Sequence, residues 1–412
     1  MELLPKSLTR RATRLGAVAQ NALEVARFGG LETDEVQSPY EVVSEQRVYR
    51  LRRYFAEGGA GPPVLLVPPL MLATEIYDVS PATSGVAVLR EHGVDPWVVD
   101  FGAPEREPGG RERTLTDHVL AVSDAVDRVR AATGLDVHLA GYSQGGMFVY
   151  QAAAYRRSQG LASLVTFGSP VDTRAGVPFG IPPAVVEGAA GLLADGLGGW
   201  GVPGWASSAG FRLLDPVKSL RAQIDFILQL HDREALLPRE RQRRFLGGEG
   251  FVAWPGPALA DFMRQFIAHN RMLEGGFVIQ DRLVTLADIE TPILAFVGTV
   301  DEIAPAAGVR AIRQAAPRAE VYEVALRAGH FGLVVGSTST RATWPTVAAW
   351  AHWRSGEGER PAEIELVDDS PEPRDDGPPV SSRVGYGLEL AGGVGVGIAR
   401  SILGGTTRTL RS

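Results

Sequence analysis

Along the middle of the chain, short apolar runs alternate with longer stretches whose apolar residues recur every three or four positions. Val64-Leu-Leu-Val67, Trp97-Val-Val-Asp-Phe101, Val137-His-Leu-Ala140, Leu164-Val-Thr-Phe-Gly168 and Pro292-Ile-Leu-Ala-Phe-Val-Gly298 read as buried strands, with Ala319-Glu-Val-Tyr-Glu-Val-Ala325 last in the series. Leu115 to Ala132 and Met147 to Tyr155 read as helices. Such alternation predicts an α/β fold: a mostly parallel sheet flanked by helices, with reactive groups at the carboxyl ends of its strands.

The pattern changes outside this region. Residues 12–28 place Leu15, Val18, Ala22 and Val25 at helical spacing and stop at Gly29-Gly30, which predicts an amphipathic helix packed on the body. Glu45 to Tyr54 alternates like an exposed antiparallel strand. Between Asp172 and Thr291 the rhythm breaks into Gly- and Pro-rich segments with Trp200, Trp205 and Trp254 and a helix-like run from Asp215 to Leu230. This stretch reads as a cap inserted between two sheet strands. After Ser355 the chain becomes acidic and Pro-rich, then Gly-rich from Val384 to Leu403, as expected of a linker followed by a flexible tail, a surface-attachment segment or the start of a further unit. The expected divisions are 1–44 (N-terminal helical segment), 45–171 with 291–355 (core), 172–290 (cap or lid) and 356–412 (disordered acidic linker and Gly-rich tail).

Composition narrows the function classes. With 41 basic and 48 acidic residues, net charge −7, general attraction to nucleic acid is not expected. The chain has no cysteine, which excludes disulfides, thiolate metal sites and a thiol nucleophile; no metal or cofactor is expected. Thr9-Arg10-Arg11 is followed by an apolar stretch too short for export, and no run of about eighteen apolar residues occurs, so a cytoplasmic protein without a spanning helix is expected.

The chemistry centres on Asp136 to Met147, where a strand breaks at Gly141 and a helix follows. Gly141-x-Ser143-x-Gly145 has the spacing of a nucleophile elbow, in which flanking glycines let strand and helix cross closely and leave the serine exposed. The bland reading is a strand-to-helix turn with a capping serine. A reactive serine needs a base, and of seven histidines His330, in a turn after the last strand, is best placed; His92, His118, His138, His231, His269 and His352 sit in helix- or strand-like runs. The acid should follow a strand and precede the histidine: Asp301 fits, with Asp172 and Glu302 as rivals and a helix N-cap as its bland alternative. The oxyanion donors should be the N–H of Gln144 and, because Pro68 and Pro69 have none, that of Leu70, with Met71 the fallback.

Several stretches together resemble the polyhydroxyalkanoate synthase branch of the α/β-hydrolase superfamily. They are Leu66-Val-Pro-Pro-Leu70 with Ile76-Tyr-Asp78, Gly141-Tyr-Ser-Gln-Gly-Gly146, Phe211-Arg-Leu-Leu-Asp-Pro216, Asn270-Arg-Met-Leu-Glu-Gly275 with Val284-Thr-Leu-Ala-Asp-Ile289, and Gly329-His-Phe-Gly332. The resemblance covers roughly residues 45–355 and implies an α/β-hydrolase fold with an inserted cap domain, acyl-thioester chemistry on hydroxyacyl-CoA in lipid metabolism, and a catalytic triad of Ser143, Asp301 and His330. Those synthases carry cysteine at the elbow. With serine here, a hydrolase or a simple acyl transferase is expected at least as strongly as an elongating synthase, because its oxygen ester is less activated than a thioester. The chain also resembles the hydrolase-like N-terminal domain of actinobacterial proteins fused to an AMP-forming acyl-CoA synthetase, so a fused or associated synthetase is an implied partner.

Two function classes follow: a serine acyl hydrolase or acyltransferase acting on an acyl-CoA or acyl ester, and a non-catalytic acyl-binding or scaffold domain accompanying a synthetase. Contact with a lipid or granule surface is compatible with either. The cap carries Trp200, Trp205, Trp254, Phe211, Phe226 and Phe266, which could form its own core or line an acyl channel. The expected substrate-binding set is Met71, Trp200, Trp205 and Phe211, with at least one of the last three facing Ser143 in a pocket closed to bulk water until the cap moves. If each buried methylene contributes about 0.8 kcal/mol, a two-carbon extension should raise kcat/KM by up to roughly tenfold until the channel is full.

Overall fold

A computed structural model describes residues 6–367 apart from 34, 57–60, 177–180 and 215, leaving out the side chains of 6–13, 211, 213, 214 and 216–222. Its strands are β1 (Tyr40–Glu45), β2 (Arg50–Tyr54), β3 (Pro63–Val67), β4 (Asp95–Asp100), β5 (Val137–Tyr142), β6 (Leu161–Phe167), β7 (Phe277–Ile279), β8 (Arg282–Val284), β9 (Ile293–Gly298), β10 (Val321–Leu326) and β11 (Glu365–Leu366). Among the described residues, all but β7 and β8 form one sheet in the order β1-β2-β4-β3-β5-β6-β9-β10-β11. It is parallel from β4 to β10 and antiparallel at both margins.

The central strands are apolar throughout because both faces are covered, yet the two-residue period still sorts their side chains. Leu65 and Val67 of β3 join Trp97, Val99 and Leu139 beneath the helices Leu115–Thr133 and Gln144–Arg156. Val64 and Leu66 point the other way, into a cluster with Val98, Val165, Phe167, Trp344 and Trp350. The helix Leu115–Thr133 is delimited by a Thr114/Asp117 capping box and by Gly134 at φ +72°.

Three expected boundaries shift. Tyr40–Glu45 is a strand, not part of a helical segment, because Tyr40 pairs with Tyr54 and their rings lie 5.3 Å apart. Glu365–Leu366 extends the sheet at its other edge against Tyr322 and Glu323, so ordered structure runs past 355; the tail 368–412 lies outside the described residues. The hairpin of β7 and β8 buries Phe277, Ile279 and Val284 in the main core and so belongs with the body.

The first helix, Lys6–Phe28, turns Val18, Ala22 and Val25 toward Leu31, Leu230 and Leu236. It therefore packs on the inserted segment and not on the sheet. Asn21 Nδ2 donates to the Leu230 carbonyl at 2.7 Å. That segment is built from the helices Pro183–Leu197, Gly204–Leu214, Pro216–Gln229, Arg233–Arg244 and Gly256–Phe262.

Candidate active site

β5 ends in the sharp turn the glycine spacing requires. Ser143 sits at φ +54°, ψ −122°, a conformation L-residues seldom adopt. The crossing is too close for side chains: a Cβ on Gly141 would stand 2.5 Å from the Gly145 carbonyl, and one on Gly145 would run into the Val67 carbonyl oxygen. Ser143 N–H donates to the Phe167 carbonyl at 2.9 Å, which ties the turn to β6.

His330 follows β10 and Asp301 follows β9, and they meet at the elbow. His330 Nδ1 lies 2.7 Å from Asp301 Oδ2, and Nε2 lies 2.9 Å from Ser143 Oγ. A carboxylate can only accept, so it holds the proton on Nδ1 and leaves Nε2 free to receive the serine proton. Asp301 Oδ1 accepts the N–H groups of Ile303 and Ala304, each at 2.9 Å. One oxygen thus caps the turn, as in the bland reading, while the other orients the base. Both side chains are almost wholly buried, and the Tyr142 ring packs 5.0 Å from the imidazole. Gly168, at φ +53°, leaves the space they fill, since a Cβ there would lie 3.1 Å from Asp301 Oδ2.

The rivals for these roles are engaged elsewhere. Asp172 Oδ1 accepts from Asn270 Nδ2 and from Arg174 N–H, both at 2.9 Å, and Glu302 is exposed. His118 and His138 are buried away from the elbow, and burial pushes them down to about 4 and about 3. His138 bridges Ser163 and Ser355; His92 and His231 bond local carbonyls; His352 reaches Glu357; His269 is exposed.

The loop after β3, where the second oxyanion donor is expected, is held by contacts that sequence reasoning did not foresee. Tyr77 O–H donates to the Val67 carbonyl at 2.6 Å and accepts the Tyr142 N–H at 3.2 Å, so one hydroxyl joins the end of β3 to the elbow. Its signal was the quoted Ile76-Tyr-Asp78. Leu70 N–H, the expected donor, is bonded to Gln144 Oε1 at 3.2 Å. Met71 is half-buried and its carbonyl accepts from Val252 N–H, while Ala73 N–H donates to the Gly250 carbonyl, so the inserted segment lies along this loop.

The expected aromatic wall is corrected. Trp200 and Trp205 are 86% and 72% exposed, because the turn after Leu197 and the following helix direct them to solvent. The side chain of Phe211 lies outside the described residues. Trp254, Phe262, Phe266 and Phe277 stack edge to face in series at 5.2, 5.4 and 6.0 Å, so these aromatics build a core. Among the described residues, no three His, Asp or Glu side chains converge on a metal position, and no helix is long and apolar enough to cross a membrane.

A family model described as alpha/beta hydrolase fold matches residues 83–337. The chain is 28% identical over 335 residues to the poly(3-hydroxyalkanoate) polymerase subunit PhaC of Haloferax mediterranei, covering 78% of this chain and 65% of that one. It is 27% identical over 367 residues to the protein of the same name from Allochromatium vinosum, covering 86% and 99%. The chain thus spans just under two thirds of the first relative and nearly all of the second. Among solved structures, a putative non-heme bromoperoxidase from Mycobacterium tuberculosis overlaps 80% of this chain and 100% of its own at 15% identity, with a TM-score of 0.46.

Proposed function

From the premise that the chain belongs to the alpha/beta hydrolase fold family and is an enzyme of the hydrolase or acyltransferase kind, we propose that it transfers acyl groups from a fatty or hydroxyacyl thioester or ester through an acyl-Ser143 intermediate. The observation that carries this is the unbroken chain of hydrogen bonds from Asp301 through His330 to Ser143. His330 Nε2 takes the Ser143 hydroxyl proton as Oγ bonds to the acyl carbonyl carbon. The oxyanion then collapses, the bond to the thiolate or alkoxide breaks, and His330 returns the proton to that leaving group. Water or an acceptor hydroxyl, deprotonated by the same imidazole, then adds to the acyl carbon; the carbon–Oγ bond breaks, His330 returns the proton to Ser143 Oγ, and a free acid or a new ester leaves. The base contributes about 10²–10⁴ in rate.

Serine at the elbow supports hydrolysis or single transfer over repeated elongation, since its oxygen ester is the poorer acyl donor. A silent binding or scaffold domain would have no need of the aligned Asp301 and His330, which weighs against that alternative. Exposed Leu192, Trp200 and Trp205 support contact of the cap with a lipid or granule surface, in a protein we place in the cytoplasm. An acyl-CoA synthetase, fused or associated, is the protein partner of this reading. The decisive experiment labels the protein with a fluorophosphonate and, separately, with a panel of acyl-CoA thioesters, reading the Ser143 peptide by mass spectrometry. Wild type should load acyl groups on Ser143 and Ser143→Ala should stay unlabelled with an unchanged fold; equal labelling of both sinks the proposal.

A further inference from the structure

Tyr77 ends the one-turn helix Thr74–Tyr77 and is wholly buried. Its hydroxyl reaches the point where β3 and β5 part after their last paired residues, Val67 and Gly141. There it donates to the Val67 carbonyl at 2.6 Å and accepts the Tyr142 N–H at 3.2 Å. A carbonyl can only accept and an N–H can only donate, so the direction of both bonds is fixed. Burial pushes the phenol far above its ordinary range, which keeps the hydroxyl protonated and makes it a constant link, not a titrating group. The phenol is braced in turn: its ring meets Trp344 edge to face at 6.0 Å, Thr74 Oγ1 donates to Asp100 Oδ1 at 3.0 Å, and Glu75 pairs with Arg52, which pairs with Asp100 at 2.7 Å. Both groups that the hydroxyl holds bear on the site. The Val67 carbonyl oxygen lies against Gly145, too close to admit a Cβ, and so limits how near the helix after the elbow comes to β3. Tyr142 directly precedes the strained Ser143, and its ring lies 5.0 Å from the His330 imidazole.

We propose that Tyr77 is a positioning residue for the reaction: by tying the Tyr142 N–H to the Val67 carbonyl, its hydroxyl sets the approach of Ser143 Oγ to His330 Nε2 without itself touching the substrate. This rests on the acyl-Ser143 reading and deepens it. The serine proton must cross between atoms 2.9 Å apart, and a misplacement of about 1 Å in such a pair costs about 10²-fold in rate. Two variants separate positioning from support of the fold. Tyr77→Phe removes the linking hydroxyl and keeps the ring against Trp344. Tyr150→Phe removes an equally buried hydroxyl, bonded to Thr166 Oγ1 at 2.8 Å, that touches neither Val67 nor Tyr142. Fluorophosphonate titration run to completion counts the reactive serines, so that kcat on a p-nitrophenyl ester is expressed per functional site. Tyr77→Phe should lose about ten- to hundredfold in kcat with KM changed less than about threefold, while Tyr150→Phe should keep both within about threefold although its urea midpoint falls.

A kcat loss under about tenfold in Tyr77→Phe overturns the proposal, because a merely structural hydroxyl changes how much protein is folded and not the rate per titrated site. So does an equal kcat loss in both variants, or a raised KM at unchanged kcat. A Tyr77→Phe chain that fails to fold overturns it as well, since the hydroxyl then serves the fold. Failure of the wild type itself to label would instead remove the acyl-serine reading, and the two failures cannot be confused.

Discussion

At the scale of single residues, Asp301 and Asp172 are the two candidates for the acid. Asp301 holds one imidazole nitrogen at 2.7 Å and so sets which nitrogen can accept the serine proton. Asp301→Asn would offer an amide that can hold the wrong tautomer, and kcat should fall about 10⁴-fold with substrate binding little changed. Asp172→Asn should change kcat less than about threefold, because the oxygen that accepts from Asn270 and Arg174 survives as an amide carbonyl. Steady-state kinetics on both folded variants decides it, and the reverse ranking would move the acid to Asp172. That Ser143, His330 and Asp301 come together was legible in the sequence because the constraints are local: a glycine-flanked serine after an apolar run, then an acid and a histidine each just after a strand. The Gln144 side chain was not legible. Its direction depends on the Leu70 N–H, a partner 74 residues away whose position only the folded sheet supplies.

Among the elements, apolar runs announced the central strands, since strands buried on both faces need no alternation. The marginal strands were harder: β1 is largely exposed and β11 spans two residues, so neither has an apolar signature of its own. The inserted segment misled for a related reason, as a tryptophan's sequence position does not say whether the fold turns it inward. Exposure of Trp200 and Trp205 carries a prediction. Trp200→Ala and Trp205→Ala should leave kcat/KM on a soluble ester within about twofold of wild type, as is usual for surface sites. A tenfold loss would restore them to the acyl wall.

The helix Leu115–Thr133 and strand β5 each bury a histidine, and this gives stability a pH dependence. Desolvation holds His118 down to about 4 and His138 down to about 3, against about 6.5 in an unfolded chain. Between those values the unfolded state binds protons that the native state refuses, so stability is complete above about pH 6.5 and falls as pH falls. At about pH 5 each histidine withdraws about 2 kcal/mol, a large share of a typical folding free energy. Urea midpoints should therefore drop between pH 7.5 and 5, and His138→Gln should show roughly half the slope. A midpoint indifferent to pH over that range would contradict the burial of both imidazoles as neutral rings.

Across the whole molecule, Ser143 and His330 lie 187 residues apart in sequence and meet because β5, β6, β9 and β10 are consecutive neighbours in the sheet. The insertion between β6 and β9 must not disturb that adjacency, and its two ends are joined by one side chain. Asn270 is 1% exposed and sits at φ +49°. Its Oδ1 accepts Thr173 N–H at 3.0 Å, while its Nδ2 donates to Asp172 at 2.9 Å. Asn270→Ala would leave a backbone N–H without its acceptor and place alanine in a left-handed conformation, which should cost about 2–4 kcal/mol. The effect should fall on stability and not on chemistry. The urea midpoint should drop, proteases should cut more readily between 183 and 244, and kcat of the remaining folded protein should stay within about threefold of wild type. If Asn270→Ala instead abolishes turnover while the midpoint holds, the Asp172–Asn270 pair acts in the reaction itself, and the proposed separation of a reacting sheet edge from a tethered insertion would have to be abandoned.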